Sequence, residues 1–158
     1  MRPEKKYMLA AIRSALEGVS KKEGGPFGAV IVDKNGHILS TAHNTVWKDT
    51  NPTAHAEVNA IRKACKKLGS INLSGCTIYS TTEPCPMCFS AIHWARIGTI
   101  VYGASIEDAA KYGFNEMKVK NTTLKRSGKL RITIISDFMK EDSLELFRVW
   151  KNTKGRPY

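Results

Sequence analysis

The sequence predicts an α/β domain of three layers, α/β/α, and three observations carry that reading. Five short apolar runs with strand character alternate with stretches whose apolar residues recur at helical spacing, the pattern of a sheet covered by helices. A length of 158 residues suits one domain with a sizeable core. No repeat, low-complexity tract or linker divides the chain, so residues 1–158 read as a single domain.

The elements follow in order. From about Pro3 to Lys22, Met8, Ile12, Ala15, Leu16 and Val19 form one apolar stripe of a helix, which Gly24-Gly25-Pro26 ends. A hairpin comes next, with arms Phe27 to Val32 and His37 to Ala42 joined by Asp33-Lys34-Asn35-Gly36, because Asn-Gly between apolar runs is a strong turn signal. A polar loop from Asn44 to Pro52 leads to a second helix, about Ala54 to Leu68, with Thr53 as its expected cap. Thr77 to Ser80 is a short buried strand. Pro84 or Pro86 opens a third helix reaching about Arg96, since proline is favoured in a first helical turn. Thr99 to Tyr102 is a strand, and a less regular stretch follows. Leu130 to Ile135 reads as the last strand. Asp142 to Asn152 reads as the last helix, with Leu144, Phe147 and Trp150 on its apolar side.

Composition narrows the function classes. Apolar residues make up 42% and charged residues 25%, ordinary for a globular protein. No apolar run reaches the ~18 residues of a membrane span. The opening Met1-Arg2-Pro3-Glu4-Lys5-Lys6 leads into an amphipathic pattern and is no secretory signal, so residence in the cytoplasm is expected. The formal charge is +11, densest where Lys118, Lys120, Lys125, Arg126, Lys129 and Arg131 follow one another without an acid. A solvated basic surface is the preferred reading of that stretch over an RNA site, because no stacking aromatics are interleaved.

Two segments carry the chemistry. His55-Ala56-Glu57 opens the second helix, and Pro84-Cys85-Pro86-Met87-Cys88 opens the third. Cysteines at i and i+3 project from one side of a first helical turn, where the macrodipole favours thiolates. Two thiolates and the neutral imidazole of His55 balance a zinc dication and leave a fourth position open for water, the arrangement of a catalytic site. Zinc lowers the pKa of its water to ~7. Glu57 is then placed to accept that proton, protonate a ring nitrogen and protonate the leaving amine. A structural zinc site would want a fourth ligand, and His43 and His93 read as ordinary loop and helix histidines. Cys65 and Cys76 read as buried small hydrophobes. Glu83 is expected to hold the cysteine loop.

This pair of segments resembles the zinc nucleobase deaminases, whose signature is H-x-E…P-C-x-x-C. Nearly the whole chain is similar to the bacterial-type guanine deaminases, in Gly24-Gly25-Pro26-Phe27-Gly28-Ala29-Val30, Asn51-Pro52-Thr53-Ala54-His55-Ala56-Glu57 and Glu83-Pro84-Cys85-Pro86-Met87-Cys88. Ala91-Ile92-His93-Trp94-Ala95-Arg96, Asp108-Ala109-Ala110-Lys111-Tyr112-Gly113-Phe114, Phe147-Arg148-Val149-Trp150-Lys151-Asn152 and Tyr158 add to it. The resemblance implies the cytidine deaminase-like fold with a central mixed sheet of about five strands. It implies one zinc per subunit, a free purine base as substrate, most simply guanine going to xanthine and ammonia, and a homodimer that exchanges its C-terminal segment, about residues 140–158. It also implies a base pocket. There Asn44 bonds the base, Phe27 packs on its face, and Ala56, Phe114, an acid and Tyr158 complete the wall. The acid that matches the family's base-reading aspartate is Glu116, one methylene longer, which moves the carboxylate that would select the ring. The zinc motif is shared with the transfer-RNA adenosine deaminases, which together with the +11 charge makes RNA adenosine the rival substrate. Guanosine, cytosine, a pterin or another amino-substituted ring stays open. A zinc-stabilised binding module without catalysis is opposed by Glu57, for which a structural site has no use.

Overall fold

The structure is a computed structural model that describes residues 2–158. A five-stranded mixed sheet runs in the order β2-β1-β3-β4-β5, built from β1 (Gly28–Val32), β2 (Ile38–His43), β3 (Thr77–Thr82), β4 (Thr99–Ala104) and β5 (Thr133–Ile135). The hairpin β1–β2 and the pair β1–β3 are antiparallel, whereas β3–β4 and β4–β5 are parallel. The parallel crossovers carry helices α3 (Pro86–Trp94), α4 (Ile106–Lys111) and α5 (Asn121–Ser127). Helix α2 (Ala56–Leu68) joins β2 to β3, α1 (Lys5–Ser20) precedes the sheet, and α6 (Lys140–Asn152) follows it. The expected three-layer architecture is therefore present.

Strand parity explains why both faces are covered. Val30, Val32, Tyr79 and Val101 meet Tyr7, Met8 and Ala11 of α1 on one face. Ala29, Ile31, Ile78 and Ile100 meet Ala60 and Ala64 of α2 and Ile92 of α3 on the other. Neighbouring strand residues point to opposite faces, so a strand apolar at every step needs a layer on each side. Helix α1 lies close on β1: a Cβ on Gly28 would sit 2.0 Å from the carbonyl oxygen of Ala11. Glycine is needed there for that approach.

Several expectations shift. On α1 the buried stripe holds Tyr7 and Ala11, and Leu16 is exposed. The stretch expected to be less regular holds α4 and α5. A capping box nucleates α4, in which the Ser105 hydroxyl accepts from the Asp108 N–H and the Asp108 carboxylate accepts from the Ser105 N–H. Ser105-x-x-Asp108 was a legible signal; α5, short and without an apolar stripe, offered none. Strand β5 is three residues long, half of the expected 130–135. Thr53 does not cap α2; His55 occupies the cap position with its side chain turned elsewhere. The apolar residues of α6 lie within this chain's own fold, with Leu146, Phe147 and Trp150 buried and Leu144 packed against the same cluster. They do not form a spare face for a partner. Cys65 is half-buried and Cys76 buried, both as free thiols. Among the described residues no helix is long and apolar enough to cross a membrane.

Candidate active site

The N-termini of α2 and α3 converge, and the chemistry-bearing residues are their caps. His55 and Cys85 are the N-cap residues, both with extended backbone and neither using its side chain to cap. Cys88 lies one turn into α3, after Pro86 at the first helical position. The imidazole and the two sulfurs therefore share one spot. Nδ1 of His55 is 3.6 Å from Sγ of Cys85 and 3.6 Å from Sγ of Cys88, and the three ligand atoms lie within 4.8 Å of one another. Two helix N-termini direct positive dipole ends at the cluster.

Electrostatics agree with a cation-ready site. The Cys85 thiol is lowered to about 4, chiefly by hydrogen bonding from Cys88 and further by His55. Cys88 is pushed up by the Cys85 sulfur and by burial. Burial disfavours a charge on His55, but the Cys85 sulfur together with the Glu57 and Glu116 carboxylates outweighs it and raises the imidazole. By itself the cluster favours an anionic Cys85 sulfur and shifts His55 toward its protonated form; a dication would replace the protons and leave both sulfurs ionised and the imidazole neutral. Among the described residues no fourth side chain completes the set. His43 is held between Ser14 (3.2 Å) and Glu23 (2.6 Å), and His93 is exposed beside Trp94. Three converging soft and borderline donors with an open side fit a catalytic zinc.

Glu57, 6% exposed, occupies the first turn of α2 beside the cluster. Its Oε1 accepts from the Ser80 hydroxyl at 2.9 Å, and its Oε2 is 3.4 Å from Sγ of Cys88. Burial raises its pKa above the ordinary carboxylate value. Ser80 was not anticipated from the sequence. The available signal was parity: on β3 the α2 face carries apolar Ile78 and then polar Ser80 and Thr82.

The remaining pocket residues are brought together as well. Asn44 is fully buried, and its Oδ1 accepts the N–H groups of Gly25 and Val46, each at 3.2 Å. Those bonds turn its NH2 group to the Tyr158 hydroxyl, to which it donates. Phe27 meets Phe114 edge-on at 4.9 Å, and Phe114 meets Tyr158 at 5.3 Å. Glu116 shares the cavity wall with Phe27, His55, Glu57, Cys85 and Tyr158, and burial pushes its carboxyl up to about 7. Ala56 is fully buried in the core cluster, so any contact it makes with a base comes from its main chain. Glu83 does hold the cysteine loop: its carboxylate accepts the Asn121 N–H at 2.8 Å, and Asn121 donates to the Pro84 carbonyl at 2.6 Å.

The tail returns over this chain's own site. The Asn115 N–H donates to the Tyr158 main-chain oxygen at 2.9 Å, the Trp47 indole donates to the Arg156 carbonyl at 3.0 Å, and the Arg156 guanidinium lies 3.6 Å above the Trp47 ring. Gly155 is there for closeness and not for a bend: a Cβ would meet the Trp150 indole nitrogen at 2.2 Å. With Tyr158 in place the inner cavity measures about 20 Å³, room for a water and far less than a ring. Trp47, the anchor of the tail, gave no signal in the sequence.

Gly24 tests the placement of Asn44. A Cβ there would lie 2.1 Å from the Asn44 Oδ1, so Gly24→Ala must displace that amide. Displacements of about 1 Å at positioning groups cost up to about 100-fold in rate. Turnover is expected to fall at least ~10-fold with zinc content unchanged; wild-type turnover would show that the orientation of Asn44 is unimportant.

Comparisons with known proteins agree with this geometry. Residues 1–104 match the family model of the cytidine and deoxycytidylate deaminase zinc-binding region. The guanine deaminase of Bacillus subtilis (strain 168) is 43% identical over 146 residues, 92% of each chain. A tRNA-specific adenosine deaminase of Aquifex aeolicus (strain VF5) is 46% identical over 101 residues, 63% of this chain and 66% of the relative. The solved structure of NE0047 in complex with 2,6-diaminopurine superposes with a TM-score of 0.86 at 25% identity, covering 96% of this chain and 83% of that one. A zinc-type cluster at two helix ends, a buried carboxylate beside it and these matches along the chain lead to one statement: the protein belongs to the cytidine and deoxycytidylate deaminase family and is a hydrolytic deaminase.

Proposed function

We propose that the protein deaminates a free purine base, guanine to xanthine and ammonia, with one zinc ion held by His55, Cys85 and Cys88. The observation that carries the choice of a free base is the tail: Tyr158, bonded to Asn44, closes over the site beside Phe27, Phe114 and Glu116, leaving room only for a water until the tail moves aside, and a tail that then closes again can cover a small planar ring. The Bacillus subtilis guanine deaminase supports it, being 43% identical over 92% of this chain. An enzyme of purine metabolism in the cytoplasm is the setting this reading implies.

Zinc, when bound, supplies Lewis-acid polarisation of a water molecule. The chain's own residues supply the rest. Phe27 and Phe114 take the faces of the ring, and the Asn44 NH2 and the Glu116 carboxyl take polar atoms on its edge. Glu57 accepts a proton from the water that attacks C2, passes it to the adjacent ring nitrogen, and later protonates the departing amine. Ser80 holds one carboxylate oxygen of Glu57, leaving the other turned to the reacting side. Water adds and ammonia leaves, so the exchange balances.

An ammonia-release screen of the purified protein across purine bases, nucleosides, cytosine and pterins tests this. Guanine is expected to be the best substrate; preference for another ring would overturn the assignment. The +11 charge favours a second reading, an RNA adenosine substrate. Retention of transfer RNA that weakens steeply with salt, together with inosine formation, would select it.

The tail gives a further expected outcome. Deleting Gly155 to Tyr158 is expected to cut turnover at least ~10-fold, about 1.4 kcal/mol of transition-state stabilisation, with zinc retained. Tyr158→Phe separates the ring from the hydroxyl that Asn44 reaches. Full activity after deletion would make the tail irrelevant. We also propose a homodimer, in which the segment from about residue 140 to 158, which here covers its own chain's site, is exchanged and makes those same contacts on the neighbour. Trp94 and Ile71, 79% and 82% exposed, stand at the joined ends of α3 and α2, where the Leu73 N–H donates to the Ala95 carbonyl, and provide an apolar contact for a second copy. Sedimentation at micromolar concentration is expected to give a dimer; a monomer would dismiss both dimer and exchange.

A further inference from the structure

Among the described residues three buried side-chain polar atoms have no hydrogen-bond partner: Oγ1 of Thr82, Oδ1 of Asn121 and Oγ of Ser143. Buried polar groups are nearly always paired, so each orphan asks for a reason. Two have local ones. Asn121 already uses its N–H on Glu83 and its NH2 on Pro84 to clamp the cysteine loop. Ser143 is wedged where α6 crosses β4, with its Oγ 2.0 Å from where a Cβ on Gly103 would be. Thr82 has none, and it differs in position, because it lines the inner cavity with Glu57, Cys85, Glu116 and Phe27.

The strand fixes its direction. Side chains two apart on β3 share a face. Ser80 points to the α2 face, where its hydroxyl bonds Glu57, while Thr81 points to the opposite face and accepts the Gly28 N–H. Thr82 is therefore on the side of Glu57. The Ser80 hydroxyl also lies 2.6 Å from the Thr82 carbonyl, so its one proton is shared between that oxygen and Glu57, which keeps the end of β3 against the proton carrier. A hydroxyl 5% exposed, unpaired and on the acid's side of the cavity is placed to meet the ligand at its reacting end.

We propose that the Thr82 hydroxyl is a substrate-binding group that accepts a hydrogen bond from the amino group being released. This rests on the deaminase reading of the site and adds to it a contact to the substituent that reacts. A hydroxyl offers two lone pairs and a freely turning proton. Against an amine it is an acceptor; against the oxo product it must turn and donate. Its unpaired state without ligand raises the energy of the empty site, and the base relieves it.

Thr82→Val keeps the shape and deletes the hydroxyl; Thr82→Ser keeps the hydroxyl. For Thr82→Val the expected result is a fall of about 10-fold in kcat/KM, unchanged zinc content, and a substrate-free unfolding midpoint equal to or above wild type, since a buried unpaired hydroxyl has been removed. Thr82→Ser is expected to stay within about 3-fold of wild type. Full kcat/KM in Thr82→Val would overturn the proposal. So would a lowered midpoint with equal losses in both variants, which would make Thr82 a packing residue. Wild-type turnover is measured first: guanine inert but another ring deaminated would overturn the guanine reading alone, and the variants are then compared on that ring. No ring deaminated by wild type would overturn both.

Discussion

Glu57→Gln is expected to abolish turnover almost completely while the protein keeps its fold and its zinc. The carboxylate sits in the first turn of α2, with Ser80 on one oxygen and the other facing the cluster. Glutamine has nearly the same size and polarity, and its carbonyl oxygen can still accept from Ser80, so geometry survives. It cannot take up and return a proton. General acid–base steps contribute about 10²- to 10⁴-fold of rate, equivalent to about 3–5 kcal/mol of barrier. Stability is expected to hold or rise, because a nearly buried carboxylate, whose ionised form is disfavoured by burial, is replaced by a neutral group. Metal analysis, an unfolding midpoint and single-substrate kinetics decide it. Turnover within a few-fold of wild type would assign the proton transfers elsewhere, and loss of zinc would make Glu57 a ligand.

Cys88→Ala is expected to remove both zinc and activity. Cys88 is fully buried in α3, and its sulfur is 3.6 Å from the imidazole nitrogen it would share a cation with. Removing it leaves two protein donors, and a catalytic zinc site normally keeps three. Wild-type protein is expected to carry one zinc per chain and the variant to carry little, with turnover falling to background. The cavity left by one sulfur in a packed helix end costs some stability in addition. Chelation of the wild type and restoration by added zinc separates the two effects, because it empties the site without a cavity. Equal zinc in wild type and Cys88→Ala would sink the ligand assignment.

The sequence by itself determined the cluster and the layers. His55-x-Glu57 and Cys85-x-x-Cys88 are local motifs, each confined to one helix start, so their placement is set by neighbouring residues, with His55 and Cys85 as the extended N-caps and Glu57 and Cys88 in the first turns. The alternation of apolar strands with amphipathic helices likewise determined the sheet, because each element advertises how many of its faces must be covered. What only the tertiary structure decided depends on residues far apart in the chain. Ser80 meets Glu57, Trp47 anchors the tail, and Asn44 meets Tyr158 across 114 positions; nothing in any local pattern foretells such pairs. The apolar side of α6 was legible in Leu144, Phe147 and Trp150, but that it packs within the chain was not, because amphipathicity specifies that a face is buried and not against what. Thr82 is the sharpest case: as one threonine in a polar run it is unremarked, and only the sheet, by setting its face, and the packing, by leaving its hydroxyl unpaired beside the acid, give it a part in the site.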